Sequence, residues 1–171
     1  MPEALFAPTA KGAAALKSGA TALKSMAMGP DLPWGQDNDL AEEYAHDARA
    51  FLLERCAAAV ANMTLTRSLV MCATYYLPAF ETLPNGQRWY RAETSQDEAL
   101  WQGKVGLLIA MGPMAFVDTG NIQFGGFKPQ IGDWLQWDIH DARQCTLNRV
   151  HCRWMQDTQI IARVIDPKLV Y

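Results

Sequence analysis

Gly103-Lys104-Val105-Gly106-Leu107-Leu108-Ile109-Ala110-Met111-Gly112-Pro113 decides the fold class. Residues 104–111 read as a strongly apolar strand. Gly112-Pro113 stops it, because proline has no N–H to give to a ladder. Gly103 and Gly106 belong to this strand and open no helix, so they make no dinucleotide-binding loop. Upstream, 68–76 alternates Leu69, Met71, Ala73 and Tyr75 with Val70, Cys72, Thr74 and Tyr76. Both sets are largely apolar, as in a strand covered on both faces. Leu83-Pro84-Asn85-Gly86 is a turn signal, and 91–98 reads as a polar loop. Downstream, Asp118-Thr119-Gly120-Asn121 is a hairpin signal between 114–117 and 122–124. Gly132-Asp133 leads tightly into a strand over 134–139, with Leu135 and Trp137 on one face and Trp134 and Gln136 on the other. Further strands are expected over 146–155 and 159–165. Short strands between Gly, Pro and Asn turns suggest a small barrel or sandwich.

The chain before this region is different. Residues 1–36 hold nine Ala, four Gly and four Pro, with no sustained apolar stripe. They read as an extended arm that cannot bury a core alone. In 37–66, Leu40, Tyr44, Ala48, Phe51, Leu52, Cys56, Ala59, Val60 and Met63 recur at three- and four-residue steps. That is one face of an amphipathic helix, with Asp39 and Glu42 spaced as a capping box. Six acids against two bases give this segment a charge of −4, whereas 67–171 is neutral.

The ordered set of strand motifs resembles the GroES-type co-chaperonins. Residues 103–113 look like that family's "G-x-V-x-x-V-G-x-G" strand. Pro129-Gln130-Ile131-Gly132-Asp133-Trp134-Leu135-Gln136-Trp137 is similar to its "VKVGDxVxF" segment, and 152–165 to its closing "yLiMxExDIlAvi" run. The resemblance covers about 67–166. It implies a mainly β fold: a small co-chaperonin-like (GroES-like) β-barrel over 67–171, preceded by the helix at 37–66 and the arm at 1–36. It also implies rings in which one subunit's first strand pairs with its neighbour's last. The implied subunit edges are Leu69 and Met71 on the first strand, and Ile160, Ala162 and Val164 on the last. In that family a mobile loop with Gly-Gly and an Ile-Val-Leu-like tripeptide docks in a groove of the large chaperonin. The matching stretch here, 84–91, carries Trp89 and Tyr90 between Arg88 and Arg91.

Composition narrows the function classes. Of 171 residues, 50% are hydrophobic and 19% charged, which argues against global disorder. A net charge of −3 offers no basic footprint for nucleic acid or an anionic membrane. No apolar run is long enough to span a bilayer as a helix. Met1-Pro2-Glu3 has no basic n-region ahead of an apolar stretch, so an intracellular product with reduced thiols is expected. Cys56, Cys72, Cys145 and Cys152 include no C-x-x-C pair and read as small packing residues.

His140, Cys145, His151 and Cys152 are the residue types of a zinc site, but the spacing matches no usual finger. In a strand over 146–155, His151 and Cys152 would also point to opposite faces. No G-x-S-x-G elbow, P-loop or H-E-x-x-H occurs. The reading therefore assigns no catalytic residue, no cofactor and no metal.

What remains is a non-catalytic assembly protein. A bacteriophage virion component fits, as a capsid decoration or cement protein or a neck or tail part. Its partners would be copies of itself, other virion proteins such as capsid protein, or both, with no nucleic acid and no membrane. It would assemble in the host cytoplasm and reside in the virion. Trp34 in the arm and Trp89 and Tyr90 in the loop are the candidate anchors. The alternative is a divergent, cytoplasmic co-chaperonin lid that binds a large chaperonin through 84–91.

Overall fold

The computed structural model describes Pro33 and residues 38–78, 80–90 and 103–170. All of these belong to one unit, Asp31–Tyr171. The arm at 1–36, apart from Pro33, and the loop at 91–98 lie outside the described residues, as does Trp34.

The acidic segment folds as two helices, α1 (Asn38–His46) and α2 (Ala48–Ala61). The continuous apolar period predicted one helix. Asp47 divides it: its backbone leaves helical geometry and its carboxylate accepts a 3.0 Å hydrogen bond from the Ala50 N–H. An aspartate that caps a new helix offers the chain an alternative to continuing the old one. The break consumes one residue, so the apolar face carries on. Tyr44, Phe51, Leu52 and Cys56 all reach the core. Glu42 does not close a capping box; its carboxylate pairs with Arg88, 2.6 Å away.

Among the described residues eight strands follow: β1 (Leu69–Thr74), β2 (Phe80–Thr82), β3 (Arg88–Tyr90), β4 (Val105–Met111), β5 (Trp134–Trp137), β6 (Arg143–Leu147), β7 (Val150–Gln156) and β8 (Ile160–Val164). Six form one antiparallel sheet in the order β6-β7-β1-β4-β5-β8, and β2-β3 is a separate hairpin. The fold is mainly β, as expected. The sheet is open, since β6 and β8 do not pair with each other.

The alternation in β1 and β4 is what gives the sheet two buried faces. Met71, Ala73, Leu107 and Ile109 face the helices, together with Trp134, Val150 and Cys152. Val70, Cys72, Leu108, Leu135, Trp137 and Met155 form a second core on the other face. Phe116 covers that second core, its ring 5.5 Å from Phe124 and 5.6 Å from Phe127. Each face therefore has its own cover, and neither set of apolar side chains is left in water.

Three local features hold these layers in register. Tyr44 Oη donates to the Tyr76 carbonyl at 3.0 Å and accepts from the Tyr76 N–H at 2.8 Å, which ties α1 to the end of β1. Tyr76 Oη in turn accepts from the His151 N–H on β7 at 3.1 Å. Gly106 allows β4 to lie against β1: a Cβ there would strike the Ala73 carbonyl and come within 2.6 Å of the Trp137 ring.

Two stretches differ from the sequence expectation. Residues 146–155 do not form one strand. Asn148 (φ 45°) and Arg149 (φ 69°) turn the chain back between β6 and β7. Two successive positive φ values are the geometry of a type I′ hairpin turn. Asn148 was a usable signal, but Arg stands where Gly is customary. Conversely, 114–117 and 122–124 are not strands. Their chain is fastened by side chains instead: Asp118 Oδ1 accepts from the Phe124 N–H at 2.7 Å, and buried Asp157 accepts from the Phe116 N–H at 2.8 Å. Phe116 has φ 56°, a conformation that disfavours a bulky side chain, and the Asp157 bond helps hold it there.

Candidate functional site

An open sheet has two edges, and here they differ. β8 pairs with β5 and with no second strand among the described residues. It starts from a one-turn 3-10 helix, Asp157–Gln159, that fixes its direction. The Asp157 N–H donates to the Ser68 carbonyl at 3.0 Å, and Gln159 Oε1 accepts from the Gln156 N–H at 2.7 Å. From this anchored start the strand runs out with Ile161 65% exposed, and Ile165, just beyond its end, 96% exposed. Between them Arg163 reaches Asp133, 3.6 Å away, whose carboxylate also accepts from the Gln130 N–H.

The sequence-predicted edge residues divide on this geometry. Ile160 packs toward the second core and Val164 is buried against the helices, with Ala162 half-buried between them. The solvent-facing aliphatics, Ile161 and Ile165, were missed. A bulge at Ile161 breaks the alternation: Ile160 pairs with Trp137 and Ala162 with Gln136, so Ile160 and Val164 reach opposite faces of the sheet. Leu69 and Met71 are corrected outright. β1 is hydrogen-bonded on both sides, by β4 and β7, so it lies inside the sheet and offers no edge. The β6–β7 hairpin takes up the side that an inter-subunit strand would need.

At the far side of the sheet, β6 exposes Arg143, Gln144 and Thr146. Arg143 lies over the half-buried Trp154 ring, 5.2 Å from its centroid. Polar and charged side chains on an edge are a usual protection against strand addition.

The β2–β3 hairpin carries the predicted anchors Trp89 and Tyr90, which are 56% and 63% exposed. They are successive residues of one strand and so point to opposite faces. Phe80 stands opposite Tyr90, with ring centroids 5.8 Å apart, and Glu81 stands opposite Trp89. Arg88 shares the Tyr90 face, lies 4.8 Å over Phe80 and binds Glu42 of α1. The Glu42 carboxylate, followed by Tyr90, pushes the Arg88 guanidinium above its usual range. Arg88 is thus engaged by its own chain and does not flank a free docking tip.

The four His/Cys residues singled out in the sequence are not brought together. His140 is exposed in a turn, and His151 stacks edge-on to Tyr76, 6.5 Å between centroids. Cys145 and Cys152 do meet, directly opposite each other across β6–β7. Cys56 from α2 packs into the same core. No spacing rule could pair Cys56 with residues about ninety positions away; only the helix packing does. Among the described residues, no three His, Cys, Asp or Glu side chains are placed to hold a metal ion. Arg153 on β7 is buried, and burial lowers its pKa. No described helix is long and apolar enough to cross a membrane. Neither a protein-family model nor a curated protein matches the chain.

Proposed function

We propose that the chain is a non-catalytic assembly subunit that joins its partners through the outer edge of β8. The observation that carries this reading is an edge strand, paired on one side only among the described residues, with aliphatic Ile161 and, just beyond it, Ile165 in solvent. Such an edge presents free N–H and C=O groups beside apolar side chains, and both are satisfied by an added strand. In the co-chaperonin-like arrangement the last strand pairs with a neighbour's first strand. With β1 enclosed, the simplest partner for β8 is β8 of a second copy, antiparallel about a two-fold axis. Pairing centred on Ala162 sets Ile161 of one copy across from Arg163 of the other and places no like charges opposite each other.

The setting that we propose is a bacteriophage virion, with the subunit as a capsid decoration or cement protein or a neck or tail part. Purified virions of its source would then contain the chain at a fixed copy number. Light scattering over a concentration series tests the edge itself. Self-association is expected, and Ile161→Lys should weaken it by about ten-fold or more, with the melting temperature unchanged. A monomer at every concentration, or equal association of the variant, would overturn the reading.

The exposure of Trp89 and Tyr90 favours a second reading, a divergent co-chaperonin lid. It predicts a capped complex with a large chaperonin and nucleotide that is lost on Trp89→Ala. Observation of that complex would replace the virion setting.

A further inference from the structure

Three of the four cysteines lie in one core, brought there by α2, β6 and β7. Cys145 and Cys152 are cross-strand partners, so their side chains leave the hairpin on the same face. Directly opposed residues of an antiparallel pair have Cα atoms about 4.5–5.5 Å apart, inside the range that a disulfide spans. Cys56 and Cys152 are buried, whereas Cys145 is half-exposed on the edge strand. All three are free thiols. The fourth, Cys72, lies in the core on the other face of the sheet.

We propose that Cys145, Cys152 and Cys56 form a peroxide-sensitive thiol site, in which Cys145 is oxidised first and Cys152 closes a disulfide to it. The chemistry balances with hydroperoxide as the oxidant. The Cys145 thiolate attacks one peroxide oxygen, the O–O bond breaks, and, with a proton from solvent, Cys145 sulfenic acid and water result. The Cys152 sulfur then attacks the Cys145 sulfur; hydroxide leaves and takes the Cys152 proton as a second water. Two thiols lose two electrons and one peroxide gains them. Cys56 can next attack the Cys152 sulfur and release the Cys145 thiol, an exchange with no net redox change.

The surroundings suit these roles. Cys152 has one S–H proton and three acceptors for it: Cys145, Cys56 and the Val150 carbonyl at 3.6 Å. Donation from Cys152 lowers the Cys145 pKa against the opposing effect of burial, and lowers that of Cys56 likewise. The same sharing raises Cys152. Cys145 combines a lowered pKa with a position that is not fully buried, unlike Cys56 and Cys152, and thiolate character with access is what peroxide selects.

Trypsin separates the participants, because Arg55, Arg67, Arg143, Arg149 and Arg153 place Cys56, Cys145 and Cys152 on three different peptides. The full chain is treated with one equivalent of hydrogen peroxide, alkylated under denaturing conditions and mapped by mass spectrometry. The expected result is loss of two alkylatable thiols and a cross-link from peptide 150–153 to 144–149, or to 56–67 after the exchange, reversed by a thiol reductant. Cys72→Ser should leave this unchanged. Cys145→Ser should slow the loss of thiols at least about ten-fold, because the three remaining thiols, Cys56, Cys72 and Cys152, are all buried. Four alkylatable thiols after treatment, stable sulfinic or sulfonic acid at Cys145 without a cross-link, or oxidation of Cys145→Ser at the wild-type rate would each overturn the assignment.

Discussion

The two edges of the sheet pose the same problem and solve it differently. β6 and β8 are both five-residue strands paired on one side. β6 turns out Arg143, Gln144 and Thr146, and folds Arg143 back over Trp154. β8 turns out Ile161 and Arg163, with Ile165 beyond. Both edges leave backbone N–H and C=O groups open; β6 is regular and polar, whereas β8 carries a bulge at Ile161 and exposed aliphatic side chains.

The contrast can be broken or sharpened at four places. The largest effect is expected from Asp157→Ala, which leaves the buried Phe116 N–H without its acceptor. A loss of about 3 kcal/mol in urea-unfolding stability is expected, and a loss below about 0.5 kcal/mol would mean that the Phe116 segment is not held to the start of β8 through Asp157. Exchanging side chains between the edges comes next. Ile161→Thr should weaken self-association by roughly ten-fold, and Thr146→Ile in the same chain should recover part of it through β6. If Ile161→Thr alone has no effect in sedimentation, the edges do not differ in the way described. Arg143→Ala removes the cation–π contact with Trp154 and should cost about 0.5–1 kcal/mol in thermal unfolding. The smallest effect belongs to Arg163→Ala. Its ion pair with Asp133 is solvent-exposed and contributes about 0–0.5 kcal/mol, read as a melting temperature close to wild type.

Legibility in the sequence follows from which interactions are local. β1, β4 and β5 could be read because their apolar alternation is continuous and bounded by Gly or Pro. The apolar stripe of the helices was equally plain, but the break at Asp47 depends on one capping bond within an unbroken stripe. The β6–β7 turn was hidden because Arg149 takes a positive φ usually left to Gly. The exposed edge was half-legible. Alternation over 160–165 was visible, yet the bulge at Ile161 that breaks it arises only in the pairing with β5. Enclosure of β1 could not be read at all, since it requires knowing that β7 folds back beside it. The thiol cluster is the most non-local feature, assembled by a helix lying on a hairpin far along the chain. Nor does any sequence pattern state that Arg88 binds Glu42 rather than a partner.

Hydrogen exchange resolved along the chain, at low and high protein concentration, addresses the claim that β8 is the assembly edge. Amides within 160–165 should gain protection as concentration rises, while those of 143–147 stay as they are. Protection that is independent of concentration at β8, or that rises at β6 instead, would contradict it.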